Sequence, residues 1–214
     1  MTDLTCIELL TTTRSVRAGL DLTRDVDLDL VKTCLRIALQ APNGTNQQRW
    51  RWIVLTDPDL RAKVADIYRE AFYARNQAAL DGADSIDPAA AKILRSARDL
   101  AEKLHLVPVL VIPCLELDDP RLPDGNQAGL WGSLLPAAWS YALAARAHGL
   151  ATTWTTVHLA REWRVGRLLG LPQTVRQGAL LPTAHPLRTR FRPATRRPLD
   201  DVLHVNGWHP EADR

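Results

Sequence analysis

Apolar residues recur at helical spacing over residues 27–40. Val31, Leu35 and Leu39 fall on one face of a helix, and Asp27 stands near the positive N-terminal end of the helix dipole. The helix is predicted to stop at the Ala-Pro pair at 41–42, because a proline disfavours helical backbone in the residue before it. An Asp-Pro pair at 57–58 opens a second predicted helix that runs to about residue 80, and another follows from about residue 89.

Four stretches favour β-strands because they are rich in β-branched, aromatic or other apolar residues and are bounded by turn signals. They are "WRWIVLTD" at 50–57, "LVPVLVIPCLEL" at 106–117, "LATTWTTVHL" at 150–159 and "QGALLPTAHP" at 177–186. The two prolines of the second stretch predict an edge or an irregular point at each end. A short helix is expected between the last two, over 159–169.

Residues 127–148 form a predicted helix of a different kind, because their apolar side chains leave little polar face. Such a helix is buried on nearly all sides, either in a core or against a second subunit. Trp131 and Trp139 most simply fill that core or interface, and stacking on a ligand is the alternative.

The order of elements predicts the fold class. Helices are interleaved with about four strands without an evenly repeating βαβ unit, which favours an α+β protein. The 214 residues, 46% of them apolar, are enough for one domain over 1–214 with a substantial core. Residues 186–214 are rich in proline and arginine, form a poor core, and are expected to be an extended C-terminal arm that wraps over another surface.

Charge and cysteine content narrow the function classes. The net charge of +3 arises from 27 basic and 24 acidic residues spread along the chain, so we expect neither a nucleic-acid nor a membrane partner. Cys6, Cys34 and Cys114 lack the paired spacing of a zinc site and are expected to be buried free thiols. The N-terminus carries Asp3 and Glu8 where a signal peptide would be apolar, and we expect a soluble, cytoplasmic protein.

Common catalytic motifs are absent from the sequence. It contains neither G-x-G-x-x-G nor a P-loop, and it has no G-x-S-x-G, His-x-x-x-His or Cys-x-x-Cys pattern. The six histidines are dispersed. These absences weigh against nucleotide binding by those folds, metal-dependent hydrolysis and the common serine nucleophile.

Three stretches offer binding chemistry instead. "TRSVR" at 13–17, which follows a predicted N-terminal helix, supplies Arg14, Ser15 and Arg17, and guanidinium forks match phosphate oxygens. "APNGTNQQRW" at 41–50 is a loop able to present backbone amides to a flat ligand. "AHPLRTRFRPATRR" at 184–197 carries five arginines. Alone, each has an ordinary alternative: a solvated helix end, a simple turn, and a charged surface or an ion-paired interface.

Taken in order, these motifs resemble the FMN-dependent nitroreductase family, which includes flavin reductase and dehalogenase relatives. "TRSVR" resembles its Arg-Ser-x-Arg signature, and "APNGTNQQRW" resembles its loop with Ala-Pro, Asn and Gln at fixed spacing. "GLATTWTTVHL" is similar to the segment along the flavin ring. "LLPTAHP" followed by "RRPLDDVLHVNGW" resembles the C-terminal signature. The resemblance covers residues 12–208.

The resemblance implies a set of cofactor contacts. Arg14, Ser15 and Arg17 would bind the FMN phosphate and the polar side of the flavin. The loop residues would reach a flavin bound mainly by the neighbouring subunit. Thr153, Trp154 and Thr155 would line the flavin ring. Arg196 and Arg197 would close on the phosphate. The implied cofactor-binding residues are Arg14, Ser15, Arg17, Pro42, Asn43, Gly44, Asn46, Gln48, Thr153, Trp154, Thr155, Arg196 and Arg197.

The resemblance also implies a nitroreductase-like fold, with a mainly antiparallel sheet of about four to five strands flanked by helices in an entwined homodimer. The implied activity is ping-pong transfer of hydride from NAD(P)H through FMN to a nitroaromatic, quinone, enone or flavin, with no catalytic residue of the protein's own. Alternatives are an FMN carrier or sensor without turnover, or a flavin-modifying or dehalogenating relative with a lid over 81–105. The sequence departs from the family at Thr13, Arg49 and Ala184, which replace a basic residue, a proline and a glycine.

Overall fold

The computed structural model describes residues 4–82 and 87–208. The helices are α1 (Cys6–Thr12), α2 (Leu28–Ala38), α3 (Pro58–Asp81), α4 (Pro88–Lys103), α5 (Ala128–Ala147) and α6 (Glu162–Leu168). The strands are β1 (Leu20–Asp21), β2 (Trp50–Leu55), β3 (Val109–Glu116), β4 (Ala151–Thr152), β5 (Val175–Gln177) and β6 (Leu181–Pro186). Short 3₁₀ turns lie at Gly44–Asn46, Leu104–Leu106, Val157–Arg161 and Leu199–Asp201.

Local capping explains where the helices begin. Thr5 and Glu8 form a reciprocal capping box at α1. The carboxylates of Asp27, Asp57 and Asp87 accept backbone N–H groups in the first turns of α2, α3 and α4. The predicted starts of α2 and α3 are therefore confirmed within one residue.

The strands form one sheet in the order β1-β6-β3-β2, in which β4 also pairs with β6 and β5 with β3. Every pairing is antiparallel. The predicted α+β class and mainly antiparallel sheet are confirmed. Among the described residues the sheet has six strands instead of four or five, because β1 and β5 are only two and three residues long and give no alternation that a sequence pattern could detect.

The predicted strand over 150–159 is regular only at Ala151–Thr152. Thr153 donates its backbone N–H to the carbonyl of Pro182 at 3.0 Å, and Thr155 then pairs with Leu180 as a single bridge. Proline has no N–H to return to the ladder, so regular pairing stops opposite Pro182. The chain leaves the sheet from residue 156 and enters the 3₁₀ turn before α6.

α5 packs along the sheet and against α2. Tyr141 is fully buried and its hydroxyl lies 3.0 Å from the Thr183 hydroxyl of β6. The expectation of burial on nearly all sides is only half met in the single chain, because Trp139 on the outward side is 38% exposed. Arg146, the only charged residue of α5, is buried near its C-terminal end.

Cys34 and Cys114 are buried as expected, whereas Cys6 is exposed because it begins α1 at the surface. Burial raises the pKa of the Cys34 thiol to about 11. The predicted lid region contains α4, with 83–86 outside the described residues, as are residues 209–214 of the arm. Across the described ranges, helices capable of crossing a membrane are not found.

Candidate functional site

The segment carrying Arg14, Ser15 and Arg17 begins just after α1 and lies beside the chain at 151–154. The Val16 N–H donates to the Thr152 carbonyl at 2.9 Å, and the Trp154 N–H donates to the Ser15 hydroxyl at 2.9 Å. The Thr153 hydroxyl donates to the Val16 carbonyl. The structure thus joins two of the sequence motifs at one edge of the sheet.

The segment that joins this edge carries two arginines. Arg14 is exposed and Arg17 half-buried, and within 4–82 and 87–208 neither has a carboxylate partner. The Ser15 hydroxyl oxygen accepts from Trp154, so its proton remains available to an anion. Guanidinium groups and a hydroxyl donor are groups that bind phosphate, but Arg14 and Arg17 line separate cavities, Arg17 together with Asp21 and Asp99.

Tyr68 of α3 joins the same edge from behind. It is 1% exposed, and its hydroxyl lies 2.9 Å from the hydroxyl of Thr155. Burial raises the pKa of Tyr68, while the Thr155 hydrogen bond and the charge of Arg17 act in the opposite direction. Sequence reasoning missed Tyr68, because a tyrosine one turn before Phe72 on a helix has the spacing of an ordinary core residue.

The loop at 41–50 has an unusual backbone. Thr45, Asn46 and Gln48 have φ values of 49°, 53° and 51°, in the left-handed region that costs most residues free energy. The Asn43 side-chain oxygen accepts the Gln48 N–H at 2.8 Å, and the Gln48 side-chain amide donates to the Asn46 oxygen at 3.0 Å. These bonds hold the turn in its strained form, a condition found mainly where function requires it.

Ser133 of α5 fixes the position of this loop. The Gly44 N–H donates to the Ser133 hydroxyl at 3.0 Å, and a β-carbon at position 44 would lie 3.2 Å from the same oxygen. Pro42 is exposed at the base of the loop. Asn43 and Gly44 line a cavity of about 350 Å³ together with Ser133.

The loop at 41–50 and the sheet edge formed by residues 14–17 and 151–154, here called the Arg14 edge, lie at opposite ends of α5. Arg14 lines a small void with Ala142 and Arg146, whereas Gly44 contacts Ser133. Thirteen residues of helix separate Ser133 from Arg146, which at 1.5 Å per residue is about 20 Å. Within one chain the structure therefore does not bring the loop to the Arg14 edge.

The arm is anchored at its start. The Arg146 guanidinium donates to the Thr189 carbonyl at 2.7 Å and lies 4.7 Å from the centre of the Phe191 ring. Arg196 and Arg197 are exposed. Sequence reasoning missed Arg146, although a lone charge in an apolar helix is a usable signal of a buried polar contact.

The three departures have defined environments. The Arg49 guanidinium pairs with Asp118 at 2.7 Å, so its charge is compensated. The Thr13 hydroxyl donates to the Leu9 carbonyl at 2.6 Å. Ala184 is fully buried in β6 and packs in the core.

Comparison with known proteins identifies relatives in sequence and fold. The model described as "Nitroreductase family" matches residues 10–183. Iodotyrosine deiodinase 1 of Mus musculus is 26% identical over 198 residues, an alignment that covers 92% of this chain and 67% of that protein. This chain therefore spans about two thirds of the length of that relative.

Two solved structures illustrate the fold. An oxidized iodotyrosine deiodinase bound to FMN and 3-iodo-L-tyrosine superposes with a TM-score of 0.69 at 19% identity, covering 96% of this chain and 100% of that one. The FMN and NADPH-dependent nitroreductase NfnB of sphigopyxis sp. strain HMH gives a TM-score of 0.69 at 22% identity, with the same coverage of 96% and 100%. At these identities the likeness establishes the shared fold.

Proposed function

This chain belongs to the nitroreductase family, and from that premise we propose that it is an FMN-dependent oxidoreductase that uses NAD(P)H to reduce a small organic electron acceptor. The acceptor is a nitroaromatic, quinone, enone or flavin. One observation carries the proposal: Ser15 and Val16 are hydrogen-bonded to the 151–154 segment, and the flanking Arg14 and Arg17 form no ion pair within the described residues.

The described residues fit FMN at this edge. Arg14 and the Ser15 hydroxyl would hold the phosphate, Arg17 would face the polar side of the flavin, and Thr153, Trp154 and Thr155 would run along the ring. Arg196 and Arg197 would close on the phosphate from the arm. When bound, FMN supplies the hydride-transfer chemistry, which agrees with the lack of a nucleophile motif in the sequence.

The protein's own groups act by position and charge. The Tyr68 hydroxyl orients the Thr155 side chain, and the Ser15 hydroxyl fixes the backbone of Trp154. Arg17, on the polar side of the flavin, would stabilise the negative charge of the reduced cofactor electrostatically. These hydrogen bonds would orient the ring, and the charge of Arg17 would favour its reduction.

The active unit is a two-fold homodimer in this proposal. Pro42, Asn43, Gly44, Asn46 and Gln48 would serve the site of the partner subunit, since about 20 Å of α5 separates the loop from the Arg14 edge of its own chain. The uncharged outward side of α5 supports this arrangement.

A complementation experiment tests the shared site. Chains with Arg17→Ala are unfolded, mixed in equal amounts with chains carrying Asn46→Ala, and refolded. Each mixed dimer then holds one site with both residues intact, so about a quarter of all sites should regain wild-type FMN affinity. Recovery no better than in either variant alone contradicts a site built from two chains.

The cofactor and turnover are tested on the purified protein. We expect a yellow protein that releases FMN on denaturation, loses flavin absorbance near about 450 nm with NAD(P)H, and regains it with an acceptor. A colourless protein that takes up no FMN in a titration refutes the proposal. Bound FMN that NAD(P)H fails to reduce favours the carrier or sensor alternative.

A second candidate is reductive dehalogenation, favoured by the 26% identity to iodotyrosine deiodinase 1 over 92% of this chain. The reduced protein is incubated with 3-iodo-L-tyrosine, and released iodide is measured. Iodide release at the rate of flavin reoxidation supports this activity, whereas reoxidation only by nitroaromatics or quinones supports the first proposal.

A further inference from the structure

Arg49 stands between two cavities beside the strained loop. One, here called the loop cavity, has a volume of about 350 Å³ and is lined by Asn43, Leu115 and Ser133 among others. The second measures about 400 Å³ and lies against residues 117–124. Arg49 and Leu130 line both. A guanidinium in this position is accessible from either cavity.

Arg49 is the only charged residue among the described residues that line the loop cavity. Its counterion is Asp118, which lies 2.7 Å away, outside that lining. The Asp118 side chain is 85% exposed and that of Arg49 31%. A pair so open to water contributes about 0–1 kcal/mol, so another carboxylate can replace Asp118 at little cost.

Arg49 is not needed to hold β2 to β3. The Glu116 N–H donates to the Arg49 backbone carbonyl at 2.8 Å, and this bond does not depend on the side chain. Two residues further along, Arg51 forms a second ion pair, with Glu116. Arg51 does not line the loop cavity, so it provides a matched control for loss of a cross-strand ion pair.

We propose that Arg49 is a specificity-determining residue that binds the carboxylate of an aromatic electron acceptor seated in the loop cavity. This inference rests on the proposed oxidoreductase function, in which the loop faces a partner's flavin. The guanidinium fork binds a carboxylate through two charge-assisted hydrogen bonds, and its present partner is already a carboxylate. Leu115 and Leu130 offer apolar walls, and the volume suits a ligand of one or two rings.

The experiment measures binding of 4-nitrobenzoate and its neutral analogue 4-nitrobenzamide by titration calorimetry on the FMN-loaded protein. The wild-type protein should prefer the benzoate. Arg49→Gln should weaken benzoate binding about tenfold or more and change benzamide binding by less than about twofold. Arg51→Gln should alter neither.

Asp118→Asn separates recognition from a structural role. Asp118 competes with the ligand for one guanidinium, so its removal should tighten benzoate binding several-fold and leave benzamide binding unchanged. A merely structural ion pair would give losses of the same sign for Arg49→Gln and Asp118→Asn. Absence of a benzoate preference in the wild-type protein, equal effects on both ligands, or weaker binding by Asp118→Asn overturns the inference.

The FMN content of each protein is measured first, so that failure of the oxidoreductase proposal can be told apart from failure of the Arg49 assignment. A wild-type protein that takes up no FMN refutes the oxidoreductase function and with it the acceptor role of Arg49. A wild-type protein that holds FMN, combined with an Arg49→Gln variant that binds 4-nitrobenzoate as tightly as wild type, refutes the Arg49 assignment alone.

Discussion

His158 should make the folded protein sensitive to mild acid. Its side chain is fully buried in the turn before α6, and within the described residues neither ring nitrogen has a hydrogen-bond partner. Burial lowers the pKa of His158 to about 4, and the negative charge of Glu162 opposes this only in part. The pKa of an unfolded histidine is about 6.5, so between about pH 4 and pH 6.5 the unfolded chain binds more protons than the folded one.

The sign and size of the change in folding stability with pH follow from this difference in pKa. A depressed histidine pKa leaves stability intact above about pH 6.5 and lowers it as the pH falls toward the folded value. The complete shift, from 6.5 to about 4, corresponds to roughly 3 kcal/mol. From about pH 7.5 to about pH 5, only part of that range is crossed, and the expected loss is roughly 2 kcal/mol.

Urea unfolding of the wild type and His158→Leu at these two pH values isolates the effect. Surface carboxylates titrate alike in both proteins, so they cancel when the two pH dependences are subtracted. The wild type should lose roughly 2 kcal/mol more than the variant on acidification, at equal protein and FMN concentrations. Equal losses in the two proteins would refute the assignment of a buried, neutral His158.

Three further substitutions test the edge and the loop. Ser15→Ala removes the acceptor of the Trp154 N–H and should lower the unfolding free energy by about 1–2 kcal/mol and weaken FMN binding; urea unfolding and FMN titration indistinguishable from wild type would argue against this role. Thr45→Asn should raise the unfolding free energy by about 0.5–1 kcal/mol, and with it the melting temperature, because asparagine tolerates the φ of 49° better. A lower melting temperature would contradict strain at Thr45. Arg17→Ala should lower the flavin reduction potential and weaken FMN binding, and an unchanged potential and affinity would speak against its electrostatic role.

Elements with local signals could be predicted from the sequence. Asp57 and Pro58 cap and begin α3 as expected, because capping depends on residues within one turn. The predicted strand at 50–57 is confirmed at Trp50–Leu55, because its apolar residues and the turn signal that follows them are also local. β1 and β5 were not predictable as separate strands, since they are only two and three residues long and exist through their pairing with β6 and β3.

The candidate site depends on contacts that no local pattern contains. Ser15 and Trp154 are 139 positions apart, and only the folded sheet brings the hydroxyl to the N–H. The motif order identified both segments but not their hydrogen bond. Tyr68 and Arg146 were missed because their roles come from what surrounds them: the Thr155 hydroxyl in one case and the Thr189 carbonyl in the other.

α5 is less buried in the single chain than its apolar sequence predicts, and the exposed apolar residues mark one surface. An apolar pattern in the sequence reports burial in the functional assembly, whereas exposure in one chain reports burial within that chain alone. α5 is almost uniformly apolar, yet Trp139 is exposed, and Ile7 of α1 and Ile37 of α2 are exposed on helices that contact α5. In the proposed homodimer, a second copy would bury these residues, which the pattern assigns to an interior but one chain leaves uncovered. The same surface lies on the helix that separates the loop from the Arg14 edge, so covering it with a second copy would also satisfy the need for a loop from another chain.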